Sequence, residues 1–274
     1  MTGDSQGSRA VLGAGLIVLV IVLLWSILFI QYFDLAFQDY AVYRSVPTSE
    51  VPVPRFLHQT WKNHDLNESQ KQSVSSLKAA YPTYEHRLWT DDMLDDFARQ
   101  EFPDFYADTW QRLTPFIKKV DTWRYMVLYI MGGLYCDIDT QRHRNAEHIW
   151  NKFPGYAFVP TRSSRVNWDD DTDAASPAVL FSYPGHPFWL LMLDYIREQH
   201  TPEFLAQNPN EEVIACTGPI AVSRVLLRME KGEVNADGIV FLSEARFGLG
   251  GLKDLFAKYC IHENRNTETW RKTL

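Results

Sequence analysis

The first strong pattern along the chain is a run with no polar period at all. Positions 10–30 read AVLGAGLIVLVIVLLWSILFI, 21 consecutive residues without a charge. At about 1.5 Å of rise per helical residue, that length covers the ~30 Å hydrocarbon core of a bilayer. A cleaved secretory signal has a shorter apolar stretch and ends at small residues. This one exits into Gln31-Tyr32-Phe33, whose rings suit a membrane interface. The pattern predicts an uncleaved anchor helix. Arg9 before the span, and Asp34 and Asp39 after it, predict a cytoplasmic tail over 1–9 and a luminal body, in the Golgi or another membrane of the secretory pathway.

Residues 31–54 read as a stem, ending in the extended, proline-spaced stretch around Pro47, Pro52 and Pro54. From 55 to 274 the apolar period switches repeatedly between strand and helix. Strands are predicted at 55–59, 84–89, 134–139, 156–160, 179–183 and 239–242. Helices are predicted at 70–80, stopped by Pro82, and from Thr90 as N-cap through 102, with Asp91 and Asp92 in the first turn. Further helices fall at 104–113, at 116–131 ahead of Gly132-Gly133, at 188–199 and at 219–231. Strands alternating with helices predict an α/β domain with a mainly parallel sheet. Ligands of such sheets sit at the carboxyl ends of strands.

Composition narrows the function classes. The chain has 274 residues, enough for one large domain, and a formal net charge of -7. That charge argues against nucleic acid as the main partner, because phosphate backbones select basic surfaces. The 9 Trp, 13 Tyr and 16 Phe suit a large core and clefts that stack on sugars or bases. Three cysteines make no disulfide framework. Cys216 and Cys260 could be bridged in an oxidising lumen, while Cys136 in its apolar run is expected as a buried thiol. Asn67-Glu68-Ser69 is a glycosylation sequon, consistent with a lumen.

The chemistry concentrates in residues 121–140, DTWRYMVLYIMGGLYCDIDT. In the strand predicted at 134–139, Asp137 and Asp139 point to one face and Cys136 and Ile138 to the other. Two same-face carboxylates repel unless a cation lies between them, and hard oxygen ligands suit Mg²⁺ or Mn²⁺. Such a site can hold a diphosphate and neutralise charge on a leaving group. On the preceding helix Asp121, Arg124 and Tyr125 share a face at i, i+3 and i+4. They read either as an ordinary intrahelical ion pair or as a polar pair aimed at sugar hydroxyls, with Arg124 as the rigid fork.

Six segments in order then carry a resemblance. They are Phe56-Leu57-His58-Gln59-Thr60-Trp61-Lys62, Leu88-Trp89-Thr90-Asp91, Asp121-x-x-Arg124-Tyr125, Gly132-Gly133-Leu134-Tyr135-Cys136-Asp137-Ile138-Asp139, Pro184-Gly185-His186-Pro187-Phe188 and Thr217-Gly218-Pro219. The chain resembles glycosyltransferase family 32, the largely fungal group with a DxD motif. The resemblance implies a GT-A-type nucleotide-sugar-binding fold, sugar transfer with retention, and Mn²⁺ (or Mg²⁺). It implies that Asp121 and Arg124 hold the donor sugar, and that Asp139 ligates metal while Asp137 contacts metal or ribose. It places His58, Gln59, Trp61 and Tyr135 near the donor. At the C-terminus the family carries a metal-side His and a phosphate-side Trp, for which His262 and Trp270 are the candidates here, with Thr269 where Ser is usual.

The expectation is a hexosyltransferase, with GDP-mannose the favoured nucleotide-diphosphate-sugar and a glycan, glycolipid or small molecule as acceptor. Family members acting on sphingolipids generally carry further C-terminal spans, so the sequence to Leu274 favours another acceptor. Two other readings compete. A tethered, inactive accessory subunit on the same fold would not need Asp121, Arg124, Asp137 and Asp139 intact. A DxDxT phosphatase would need its Thr two residues after the second Asp, and Thr140 directly follows Asp139. His186 in its Pro-Gly-His-Pro turn is expected to shape the turn. The charged stretch at 162–171 reads as a loop near the acceptor or as a solvated charge run.

Overall fold

The computed structural model describes residues 20, 23–26, 40–43, 52–141, 145–161, 175–207, 213–243 and 263–264. The chain divides into two compact units, Met1–Asp39 and Tyr40–Leu274. In the first, Val20 and residues 23–26 are helical, and most of the expected anchor at 10–30 lies outside the described residues. Among the described residues no helix is long and apolar enough to cross a membrane.

The second unit is built on a seven-stranded sheet. Its strands are β1 (Tyr40–Tyr43), β2 (Phe56–Thr60), β3 (Glu85–Trp89), β4 (Gly133–Cys136), β6 (Ala157–Thr161), β7 (Val179–Ser182) and β8 (Ile239–Ser243), in spatial order β1-β8-β6-β7-β4-β2-β3. A separate ladder joins β5 (Thr140–Gln141) to β9 (Glu263–Asn264). The helices are α1 (Glu68–Ala80), α2 (Asp91–Glu101), α3 (Pro103–Asp108), α4 (Ile117–Ile130), α5 (Glu147–Trp150), α6 (Pro187–Glu198), α7 (Pro202–Gln207), α8 (Val213–Cys216) and α9 (Pro219–Glu230).

The sheet is mixed. β3, β2 and β4 run parallel to one another, as do β6 and β8. β7 is antiparallel to both of its neighbours, and β1 is antiparallel to β8. The mainly parallel expectation therefore holds for three of the six pairings. β7 departs from it because no described helix separates it from β6, and parallel pairing needs a crossover. β1 also revises the stem. Tyr40–Tyr43 lies inside 31–54 yet pairs with Ile239–Leu242 at the sheet edge, so the folded body starts before residue 55.

Strand alternation explains why both sheet faces are covered. Leu57, Leu134, Cys136, Phe158, Phe181 and Val240 pack into one core, with Leu77 of α1 and Trp150 of α5. Tyr135, Val159, Leu180 and Ile239 join the larger core on the opposite face, with Trp123 of α4, Trp189 of α6 and Val225 of α9. α1 starts with a capping box in which the Asn67 side chain accepts from the Gln70 N–H at 3.0 Å, while Gln70 Oε1 accepts from the Asn67 N–H at 2.9 Å. Thr90 is the N-cap of α2 but makes no side-chain cap hydrogen bond.

The turn from α4 into β4 fixes the position of the DxD segment. Gly132 and Gly133 have φ of 63° and 98°, conformations that side chains rarely adopt. A Cβ would lie 2.7 Å from the Ser182 carbonyl at the first and 2.7 Å from the Phe56 carbonyl at the second. Only glycine lets the helix end this close to two neighbouring strands. The Gly132 carbonyl in turn accepts from His58 Nε2 at 3.0 Å, tying the turn to β2.

Candidate functional site

The carboxyl ends of β3, β2 and β4 lie side by side along one edge of the parallel part of the sheet, where α/β folds place ligands. Trp61, Thr90 and Asp137 directly follow these strands. β4 stops at Cys136, so Asp137 and Asp139 do not share a strand face as expected. They occupy a turn closed by the Thr140 N–H donating to the Asp137 carbonyl at 3.0 Å. The strand ends there because the Asp137 N–H makes its last ladder contact, with the Ala178 carbonyl at 2.8 Å.

α4 brings its polar face to this turn. Asp121, Arg124 and Tyr125 are all buried. Arg124 Nη2 donates to Asp121 Oδ1 at 2.6 Å and lies 3.5 Å from Asp137 Oδ1, while Nη1 donates to the Pro177 carbonyl at 2.7 Å. One guanidinium thus links the helix carboxylate to the first carboxylate of the DxD turn. The ion pair foreseen on α4 is real, but it extends to a third group from another element.

Tyr135 supports the same arrangement. It is fully buried under the Arg124 guanidinium, 4.8 Å from ring centroid to Cζ, and its hydroxyl donates to Asp137 Oδ1 at 2.8 Å. It is expected near the donor, and its hydroxyl is engaged by Asp137. Thr60 Oγ1 lies 3.4 Å from the Tyr135 hydroxyl.

The electrostatics are strained by design of the fold. Burial pushes the Asp137 carboxyl up to about 7; Arg124 opposes this and Asp139 adds repulsion. Burial also raises Asp121, against the pull of Arg124 and the Thr217 hydroxyl. Buried ion pairs contribute little net stability relative to apolar packing, so a cluster of three charged side chains is better explained by a ligand than by folding. The donor set fits the divalent cation that the family resemblance implies. Two hard carboxylates at a turn, one raised partly by the other, are relieved by a cation and leave most of an octahedral shell to phosphate and water. Among the described residues no group of three His, Cys, Asp or Glu side chains could hold a metal. His262 and Trp270 lie outside the described residues, although β9 at Glu263–Asn264 pairs with β5 directly after the DxD turn.

The β2 residues expected near the donor divide. His58 is fully buried with both ring nitrogens engaged: Nε2 faces the Gly132 carbonyl and Nδ1 accepts from Trp89 Nε1 at 3.2 Å. Gln59 is buried too, donating to Ser73 Oγ at 3.2 Å and facing His86 Nε2 at 3.0 Å. Both side chains are engaged by groups of neighbouring elements and join β2 to its surroundings. Trp61 is half-buried just past the strand end, where an indole could stack. His186 behaves as expected of a turn-shaping residue, capping α6 through Nδ1 and engaging the Gly238 carbonyl through Nε2. Cys136 and Cys216 are buried thiols, and Lys118 Nζ lies 3.5 Å from the Cys216 sulfur. The partner half of the suggested Cys216–Cys260 bridge lies outside the described residues.

Sequence reading missed two contributors. Thr217 donates from Oγ1 to Asp121 Oδ2 at 2.8 Å, and the Pro177 carbonyl receives Arg124. The Thr217-Gly218-Pro219 triplet was a visible signal for the first. A backbone carbonyl from a distant segment has none.

Comparison with known proteins finds similarity over this part of the chain. Residues 67–154, which contain Asp121, Arg124 and the DxD turn, match the family model "Glycosyltransferase sugar-binding region containing DXD motif". A mannosyl phosphorylinositol ceramide synthase of Saccharomyces cerevisiae is 27% identical over 188 residues, covering 69% of this chain and 45% of that protein. Inositol phosphoceramide mannosyltransferase 2 of Schizosaccharomyces pombe is 29% identical, covering 64% and 47% respectively. The initiation-specific alpha-1,6-mannosyltransferase of the same yeast is 26% identical, covering 70% and 54%. The chain spans about half the length of these curated relatives. The motifs in family order, the matched sugar-binding region and the related fungal transferases all make the chain similar to glycosyltransferase family 32, the DxD sugar-binding glycosyltransferases.

Proposed function

We propose that the protein is a divalent-metal-dependent, retaining hexosyltransferase of GT-A type that moves mannose from GDP-mannose to a glycolipid or glycan. The observation that carries this reading is the Arg124 bridge. It joins Asp121 on α4 to Asp137 on the DxD turn at the carboxyl edge of the sheet. In this reading the bridge sets a carboxylate for the sugar beside one for the metal-bound diphosphate. The relatives are named for mannose transfer, to inositol phosphoceramide among others, which favours mannose. They also move a phosphoinositol-bearing lipid ahead of other acceptors, against the expectation drawn from the sequence to Leu274.

In this reading Asp121 accepts hydrogen bonds from donor sugar hydroxyls, and Arg124 holds Asp121 and Asp137 in fixed relation. Trp61 offers a face to the base. A divalent cation held by Asp137 and Asp139, with His262 as a third ligand, would neutralise the departing diphosphate. The acceptor hydroxyl attacks the anomeric carbon on the side the diphosphate leaves. The new C–O bond forms as the C–O bond to phosphate breaks, and the acceptor proton passes to a leaving-group phosphate oxygen. The protein then contributes orientation and charge stabilisation, with no enzymic nucleophile. The catalytic body is luminal, tethered in a secretory-pathway membrane by the uncharged run at 10–30.

The test is a donor screen on the full chain in detergent, reading released nucleotide. GDP release from GDP-mannose is expected in Mn²⁺, accelerated by inositol phosphoceramide and abolished by EDTA. Silence with every GDP- and UDP-sugar would overturn the enzyme reading in favour of an accessory subunit. Phosphate release from a simple phosphomonoester, with no sugar transfer, would favour a phosphatase.

A further inference from the structure

The Thr217-Gly218-Pro219 triplet has no role in the site as the sequence describes it. In the structure it reaches the centre of that site. α8 ends at Cys216, and the chain turns through Thr217 and Gly218 into α9. Gly218 lets that turn lie flat on α8, because a Cβ there would sit 2.9 Å from the Ile214 Cα. Pro219 begins α9 within its first turn, where a missing N–H costs nothing. Thr217 is thereby held fully buried against α4. Its carbonyl accepts from the Tyr125 hydroxyl at 2.7 Å, and its hydroxyl faces Asp121 Oδ2 at 2.8 Å.

The Thr217 hydroxyl has one proton and two acceptors within reach, Asp121 Oδ2 at 2.8 Å and the Val213 carbonyl at 3.2 Å. The shorter, charge-assisted bond to the carboxylate is the stronger. Asp121 is then fixed at both oxygens, Oδ1 by Arg124 and Oδ2 by Thr217. A carboxylate held by one oxygen alone can turn about its last torsion, which is broad in Asp. Held by both, its remaining lone pairs point in set directions.

We infer that Thr217 is a positioning residue for donor-sugar recognition, orienting Asp121 through its hydroxyl while the nucleotide and cation are held elsewhere. This rests on the proposed function, in which Asp121 faces the sugar. Tyr125, on the same helix face, keeps Thr217 in place from the other side. The arrangement makes the loop after α8, rather than α4 alone, a determinant of which sugar the site accepts.

The experiment compares Thr217→Val, which keeps shape and removes the hydroxyl, with Thr217→Ser, which keeps the hydroxyl, in the full chain. The measurements are kcat and KM for GDP-mannose, the inhibition constant of GDP, and the melting temperature. For Thr217→Val, kcat/KM is expected to fall about tenfold or more, the scale of one charge-assisted hydrogen bond. Inhibition by GDP should stay within about twofold of the parent chain, and Thr217→Ser should recover most of the loss. Val behaving like the parent chain would overturn the inference. So would equal weakening of GDP and GDP-mannose, or a loss of folding in Val that Ser does not repair, since either marks a packing role. A parent chain that releases no nucleotide from any donor is a different failure, that of the transferase reading itself.

Discussion

Two sets of buried polar groups sit within the same domain and are handled in opposite ways. Around Arg124, three charged side chains are buried or half-buried together, and their charges are only partly balanced. Elsewhere, four imidazoles at His58, His86, His186 and His200 are buried or half-buried and held neutral. Burial is the largest cause in each, and each pKa is lowered to about 4. Each histidine faces a hydrogen-bond acceptor: a backbone carbonyl at three of them and the Gln59 side chain at His86. The imidazoles therefore join elements at little electrostatic cost. The carboxylates and guanidinium are gathered where charge is expensive, at a sheet edge suited to a ligand, and burial raises both Asp121 and Asp137. The imidazoles make the fold and the charged cluster makes the candidate site, and substitutions should separate them.

The largest expected effect is on activity alone. If Asp139 ligates the cation as proposed, Asp139→Ala should reduce donor turnover by more than about 100-fold, as loss of a direct metal ligand exceeds the usual cost of losing a supporting residue. Its melting temperature should be unchanged or higher, because a carboxylate that repels Asp137 is gone. A variant that stays active without added cation, or one that melts early, would break the distinction between site and scaffold.

Arg124→Ala comes next and should affect both. It leaves Asp121 and Asp137 buried without their shared counter-ion, a loss of about 3–5 kcal/mol when a buried pair is broken. Arg124→Lys should recover some stability but little activity, since an ammonium cannot span Asp121, Asp137 and the Pro177 carbonyl as the planar fork does. Denaturant unfolding alongside the nucleotide-release assay reads both.

The imidazoles predict an acid-side loss of stability. With folded pKa values near 4 against 6.5 unfolded, the unfolded state binds protons that the folded state refuses. Their contribution is complete above pH 6.5 and falls as the pH drops towards 4. Asp137, raised to about 7, works in the opposite sense, taking its proton in the folded state first. Asp121, also raised by burial, acts in the same sense as Asp137, but four imidazoles outnumber the two, so melting temperatures should fall between pH 6.5 and 5, before most carboxylates titrate. A flat profile in that window would mean the histidines are not held neutral.

Much of this was readable from the chain because it is local. The α4 face carrying Asp121, Arg124 and Tyr125 follows from helical spacing, and the glycine pair marked the end of that helix. The DxD residues announced themselves by type, but not their geometry. Nothing local says that β4 stops at Cys136, since the stop is set by where Ala178 and β7 end the ladder. The roles of His58, Gln59 and Tyr135 were hidden for the same reason. A motif shows that a residue is needed, while its partners, here Gly132, Ser73 and Asp137, come from other elements. The edge strand β1 was masked by a proline-spaced context that reads as linker.

The smallest expected effect lies at the surface, outside both buried sets, and it bears on where the protein works. Asn67 is exposed, and its Oδ1 caps α1. Its amide nitrogen is the atom a glycan would use in the Asn67-Glu68-Ser69 sequon. Asp caps a helix about as well as Asn, whereas Ala does not. Asn67→Asp should therefore leave stability within about 0.5 kcal/mol of the parent chain, and Asn67→Ala should cost about 1 kcal/mol. If the body is luminal as proposed, the parent chain expressed in a eukaryotic secretory pathway migrates more slowly on a gel than Asn67→Asp. An endoglycosidase then removes the difference. Identical mobility before and after the enzyme would count against a luminal body, and it would do so without disturbing the cap, because the substituted residue still closes the first turn of α1.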